Sequence, residues 1–169
     1  SALLDFLARQ QYIVITVVID KKAHVERYGQ AAFHPYHYCL AALLERYCDF
    51  LNTYNAQGDV MGESRGGQED RQLKEAHHAL FTVGTHWRDA HFFQRALTSA
   101  AIKLKPKFAN IAGLQIADLL AFPSKQELLL EKGFIPEPGD VFGREVVHRI
   151  TSKYYRRPFQ DRVQEYGKI

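Results

Sequence analysis

Tyr12-Ile-Val-Ile-Thr-Val-Val-Ile19 is the most strongly patterned segment of the chain, and seven of its eight residues are β-branched. No polar residue alternates with the apolar ones, which is the pattern of a strand covered on both faces inside an α/β sheet. Asp20-Lys21-Lys22 follow at once. The first polar side chains therefore stand just beyond the carboxyl end of the predicted strand, the edge where open α/β sheets bind their ligands.

Working outward, Pro35 suits the first turn of a helix, where a missing N–H costs nothing. Leu40, Leu43, Tyr47, Phe50 and Tyr54 recur at three- and four-residue spacing and predict one apolar helix face that ends at Asn55 to Gly58. A short strand around Asp59 to Gly62 leads into Glu63-Ser-Arg-Gly-Gly67. Gln68-Glu-Asp70 then opens a second helix, with Leu73, Ala76, Leu80 and Val83 as its core stripe and Gly84 as its stop. From Ala101 to Phe108, Ile102 and Leu104 alternate with Lys103, Lys105 and Lys107; with Pro106 unable to donate to a ladder, this predicts an edge strand. Ile111 to Ala121 predicts a helix that is apolar nearly all round, broken at Pro123 and continued through Leu130 to Gly133. Val141 to Tyr155 predicts a basic helix, with a tail to Ile169. Strands alternating with helices make the class α/β, expected as a single domain over residues 1–169.

At 46% hydrophobic and 24% charged residues over 169 positions, the composition is that of a folded domain. No apolar run approaches the roughly 20 residues that a membrane-spanning helix needs. Asp5 and Arg9 interrupt the only N-terminal apolar stretch, so no secretory signal is read and a cytoplasmic location is expected. The chain begins at Ser1 and enters directly into Leu3, Leu4, Phe6 and Leu7, which reads as the end of an amphipathic helix. A processed terminus, or the C-terminal portion of something longer, is therefore expected. Cys39 and Cys48 lie nine residues apart on one predicted helix, on opposite sides of it, and cannot bridge.

Charge is unevenly distributed. Residues 1–143 hold 15 Lys/Arg against 16 Asp/Glu, whereas residues 144–169 hold 7 against 3. The basic segment carries Arg149, Lys153, Arg156 and Arg157, with Tyr154, Tyr155, Phe159 and Tyr166 interleaved. Cations displace counterions from a polyanion and rings stack on bases, so these residues, together with Lys103, Lys105 and Lys107, are candidate nucleic-acid contacts. A solvated basic face reads the same residues without a ligand.

Asp118 is the most informative acid. Its helical neighbours Leu114, Gln115, Ala121 and Phe122 include no cation, so a partly buried carboxylate with a distant partner is expected: a lysine or arginine, a backbone cap or a metal ion. Asp20 and Glu63 each end a predicted strand. Three such carboxylates converging within roughly 10 Å would suit Mg²⁺ or Mn²⁺, and two ions would clamp the oxygens of a phosphodiester. No Cys-x-x-Cys, His-Glu-x-x-His, phosphate-loop or nucleophile-elbow motif is present, so zinc, nucleotide-loop and serine-hydrolase readings lose their sequence support.

Glu63-Ser-Arg-Gly-Gly-Gln-Glu-Asp70, Leu104-Lys-Pro-Lys107 and Asn110-Ile-Ala-Gly-Leu-Gln-Ile-Ala-Asp-Leu-Leu-Ala121 resemble, in order and spacing, the bacterial domain-of-unknown-function 3800 family, over about residues 12–130. The resemblance implies a ribonuclease-H-like fold and a metal-dependent nuclease, with Asp20, Glu63 and Asp118 as metal-binding catalytic residues and Lys21, Arg65 and Gln115 in support. The family's opening Asp-Glu-Ser-Gly strand has no counterpart here. The expectation is thus a ribonuclease-H-like domain without its first three strands, with one edge of residues 12–19 unpaired or covered by another chain, which would permit a homo-oligomer. The alternative is a non-catalytic module that keeps the fold and binds nucleic acid or a protein.

Overall fold

A computed structural model describes residues 1–29, 35–137, 139, 141–157, 162–165 and 167–169. Phe159 and Tyr166, singled out above, lie outside them. The chain is mixed α/β and rich in helix, and it divides into two compact units, residues 19–114 and residues 1–18 with 115–169.

The unit of residues 19–114 contains α2 (Lys21–Tyr28), α3 (Pro35–Thr53), β1 (Met61–Glu63), α4 (Gly67–Thr82), α5 (Ala90–Ala96) and β2 (Lys103–Lys105); α1 (Ala2–Arg9) belongs to the other unit. β1 and β2 form a two-stranded parallel sheet, with Met61 opposite Lys103, Gly62 opposite Leu104 and Glu63 opposite Lys105. Helices α4 and α5 lie in the crossover between them, as parallel pairing requires. Leu40, Leu44, Cys48 and Leu51 of α3 pack with Ala76 and Leu80 of α4 and with Phe93, Ala96 and Leu97. The core seam of α3 is thus displaced from the predicted stripe. Leu43, Tyr47 and Phe50 flank it half-buried, and Tyr54 lies outside in solvent. Val83, predicted inside, is exposed because α4 ends at Thr82 and the chain turns away through Gly84, whose φ of +89° favours glycine.

In the other unit, α1, α6 (Ala112–Glu131, beginning at the unit boundary) and α7 (Phe142–Ile150) surround Leu4, Leu7, Val14, Leu120, Val146, Ile150 and Tyr154. Three expectations need correction here. Residues 12–19 do not form a strand buried on both faces: Val14 is buried, its neighbour Ile13 is 37% exposed, and the segment lies outside the two-stranded sheet. It pairs instead through isolated parallel bridges, Val14 with Tyr154 and Thr16 with Lys168. Thr16 N–H donates to Gly167 O and Ile169 N–H to Thr16 O, at 2.8 and 2.9 Å, so the chain's own C-terminal residues cover this edge. Second, α6 runs through Pro123 rather than breaking there. The proline leaves the Leu119 carbonyl without its usual helical donor, but Leu120, Ser124 and Leu128 keep one face buried across that point. Third, the basic helix ends at Ile150, followed by a single 3-10 turn at Thr151–Lys153 and extended chain.

Candidate nucleic-acid interface

Because β1 and β2 are parallel, their carboxyl ends lie side by side, at Glu63 and Lys105. Ser64 N–H continues the pairing by donating to Lys105 O at 2.8 Å. Gly62 suits the tight spacing there, since a Cβ would stand 3.1 Å from Leu104 Cδ2 and that side chain would have to give way slightly. Beyond Glu63 the chain turns through Gly66 and Gly67, both with positive φ, into α4. Asp70 in the first turn of α4 holds that turn: it accepts Ser64 Oγ–H at 2.5 Å and the N–H groups of Arg65 and Gly66 at 2.8 and 3.1 Å. The Ser64 hydroxyl, and after it the Arg65 amide, hold the Asp70 carboxyl below the usual carboxylate range.

Side chains of both signs stand along this edge, and the ion pairs sort them. Lys103 donates to Asp59, which also accepts from Thr98; these two hydrogen bonds keep the Asp59 carboxyl low, and the carboxylate neutralises Lys103. Lys105 and Lys107 are exposed and, among the described residues, make no ion pair; the same holds for Arg65. After extended Pro106, Lys107–Ala109 forms a 3-10 turn, closed by Ala109 N–H to Pro106 O at 2.9 Å and Asn110 N–H to Lys107 O at 3.2 Å. Phe108 stands on that turn, 84% exposed. The edge therefore presents Arg65, Lys105 and Lys107, with the exposed Phe108 next after Lys107 in the chain and the exposed Glu63 opposite Lys105.

Asp20 is the N-cap of α2. Its Oδ1 accepts the N–H groups of Lys22 and Ala23 at 2.9 and 3.1 Å, which satisfies helix donors that would otherwise lack partners. Lys21, the next residue, is exposed, with Nζ 6.0 Å from the Tyr36 ring centre. Asp20, Lys21, Glu63 and Arg65 belong to the unit of residues 19–114; Gln115 and Asp118 belong to the other. Asp118 is exposed on α6, contrary to the burial expected for it. A helix with apolar residues nearly all round still buries only one face, here Leu120, Ser124 and Leu128, and Asp118 lies off that face. The exposed carboxylate needs no partner.

The basic C-terminal segment is largely engaged within its own unit. Arg144 pairs with Glu137 at 3.0 Å and Arg162 with Glu165 at 2.6 Å. Lys153 Nζ donates to Gln10 O at 2.8 Å and lies over the Tyr12 ring. Lys168, only 7% exposed, binds Glu127 and Glu131 at 2.9 and 2.6 Å. Arg149 is exposed at the end of α7, while Arg156 and Arg157 both take part in further contacts.

As a test for Mg²⁺ or Mn²⁺, no three His, Cys, Asp or Glu side chains gather closely enough to hold an ion among the described residues, and one Asp20 oxygen is committed to its helix cap. Sequence reasoning missed Phe108, for which the neighbouring Lys105-Pro-Lys107 was the available signal. It also missed the turn-holding role of Asp70, legible only as an acid in the first turn of a helix. No family model, no curated protein and no solved structure matches the chain.

Proposed function

We propose that the chain is a nucleic-acid-binding module whose contact surface is the carboxyl edge of the β1–β2 pair. The observation that carries this reading is the ion-pair balance along the edge. Lys103 is neutralised by Asp59, whereas Lys105, Lys107 and Arg65 are left available to phosphates. Released counterions then supply the binding free energy. A gel-shift series at rising salt tests it. Lys105→Gln with Lys107→Gln should weaken binding and reduce the slope of log K against log salt by about one per lost contact. Lys103→Gln should change the slope little. An unchanged slope in the double variant rejects the reading.

A second reading, the metal-dependent nuclease of ribonuclease-H-like fold that the resemblance implies, draws support from Glu63, an exposed carboxylate at the end of β1, and from the parallel pairing with helices in the crossover. Its test is cleavage of nucleic acid in added Mg²⁺ or Mn²⁺, abolished by Asp118→Asn with binding retained. Cleavage that survives Asp118→Asn removes Asp118 from that reading.

A further inference from the structure

We infer that the ligand of the β1–β2 edge is a single-stranded nucleic acid, with one base stacked on Phe108. This rests on the reading of that edge as a nucleic-acid surface and goes beyond it in naming the form of the ligand and the residue that selects it.

Phe108 is the most exposed of the large hydrophobic side chains on the described residues, at 84%. Burying such a ring is favourable, and folding leaves that gain unused here. Its support is stiff. Pro106 fixes its own backbone, two hydrogen bonds close the turn, and Asn110 ends it in the left-handed conformation at φ +50°. A ring held on a closed turn loses little freedom when a ligand covers it.

The two cations that precede the ring define what that ligand is. Lys105 and Lys107 are separated by one extended residue, an advance of about 6.6 Å along the chain, comparable to one nucleotide of an extended strand. A strand whose phosphates meet the two lysines in turn would run on to Phe108, where its next base meets the ring. Every base offers a π-face once it is unstacked, so the platform tolerates sequence. A duplex keeps those faces inside its stack and offers only phosphates, leaving Phe108 uncovered. An apolar protein partner fits less well, because two lysines precede the ring in the chain and, among the described residues, neither makes an ion pair, although Glu63 lies opposite Lys105 in the strand register.

Fluorescence anisotropy with a labelled oligonucleotide of about fifteen nucleotides, single-stranded or as the matching duplex, tests the inference. The wild-type chain should bind the single strand more tightly. Phe108→Ala should weaken single-strand binding about tenfold and leave duplex binding unchanged, with Phe108→Tyr restoring most of the loss. Position 108 is exposed, so circular dichroism should show all three chains equally folded. If Phe108→Ala leaves single-strand binding unchanged while Lys105→Gln weakens it, the stacking inference is overturned and the edge remains a phosphate-binding surface. If the wild-type chain binds neither probe, both readings fall.

Discussion

Ser64 and Asp70 are joined side chain to side chain at 2.5 Å across the turn between β1 and α4, and the same carboxylate accepts the Arg65 and Gly66 amides. One aspartate thus sets the path of the chain that carries Glu63 and Arg65 along the sheet edge. Its depressed pKa is the thermodynamic trace of that work.

Acid should reveal it. A carboxyl whose folded pKa is lowered contributes stability that is full above its unfolded value, about 3.9, and is lost as pH falls through the folded value. Asp70→Asn should melt at lower temperature than wild type at pH 7 and lose less on further acidification below about pH 4. Asp59, held low by Lys103 and Thr98, contributes with the same sign, so the acid loss should be reduced rather than abolished. Thermal melts across pH 7 to 2 measure it. Parallel curves for the two proteins would show that Asp70 is not held low.

His77 carries the opposite chemistry. It is 1% exposed on α4, its Nδ1 stands 3.2 Å from the Ala100 carbonyl, and no hydrogen-bond partner reaches its Nε2 among the described residues. A carbonyl can only accept, so the ring's proton lies on Nδ1. Burial pushes the pKa down, against the smaller upward pull of the Ala100 bond, and His78 adds to the lowering. The unfolded chain therefore takes up a proton before the folded one does, and stability should decline as pH falls below about 6.5. His77→Phe should cost on the order of 1 kcal/mol at pH 7 through the lost bond. It should also be flatter than wild type between about pH 6.5 and 5 in urea denaturation. A wild-type stability that is flat across that range would contradict burial of a neutral ring.

Lys168 closes the C-terminal segment onto α6. Its ammonium lies between Glu127 and Glu131 and over the Tyr154 ring, while the Tyr154 hydroxyl donates to Glu127 at 3.2 Å. Lys168→Met leaves two carboxylates one helical turn apart without their cation. A fully buried pair broken this way costs about 3–5 kcal/mol; with both carboxylates partly exposed, about 2 kcal/mol is expected. Adding Glu127→Gln should recover part of it. Hydrogen exchange should quicken at the Thr16 and Val18 amides, which donate to Gly167 and Ile169. Unchanged exchange there would mean that Lys168 does not hold the segment.

These features divide by how much of their cause is local. The helix begun by Pro35 and the alternation of Ile102 and Leu104 with the lysines were legible, because proline geometry and strand period act within a few residues. The displaced seam of α3 was not. Its apolar arc is wide, and packing against α4 and α5 selects Leu40, Leu44, Cys48 and Leu51 over the aromatic row. Residues 12–19 look like a central strand by composition, yet they pair with residues 153–155 and 167–169, a choice no short window contains. Helix α5 spans seven residues, too few for a period, although its Asp89 cap is an ordinary start signal. At the candidate site, Lys103, Lys105 and Lys107 were legible as a charged face. The Asp59 pairing that sets Lys103 apart depends on a contact 44 residues away in sequence.

Backbone amide shifts of the ¹⁵N-labelled chain, titrated with a short single-stranded oligonucleotide, show directly whether the β1–β2 edge binds it. The largest changes are expected at residues 63–67 and 103–110, fading as salt is raised. The largest changes at residues 144–157, or none anywhere along the chain, would contradict it.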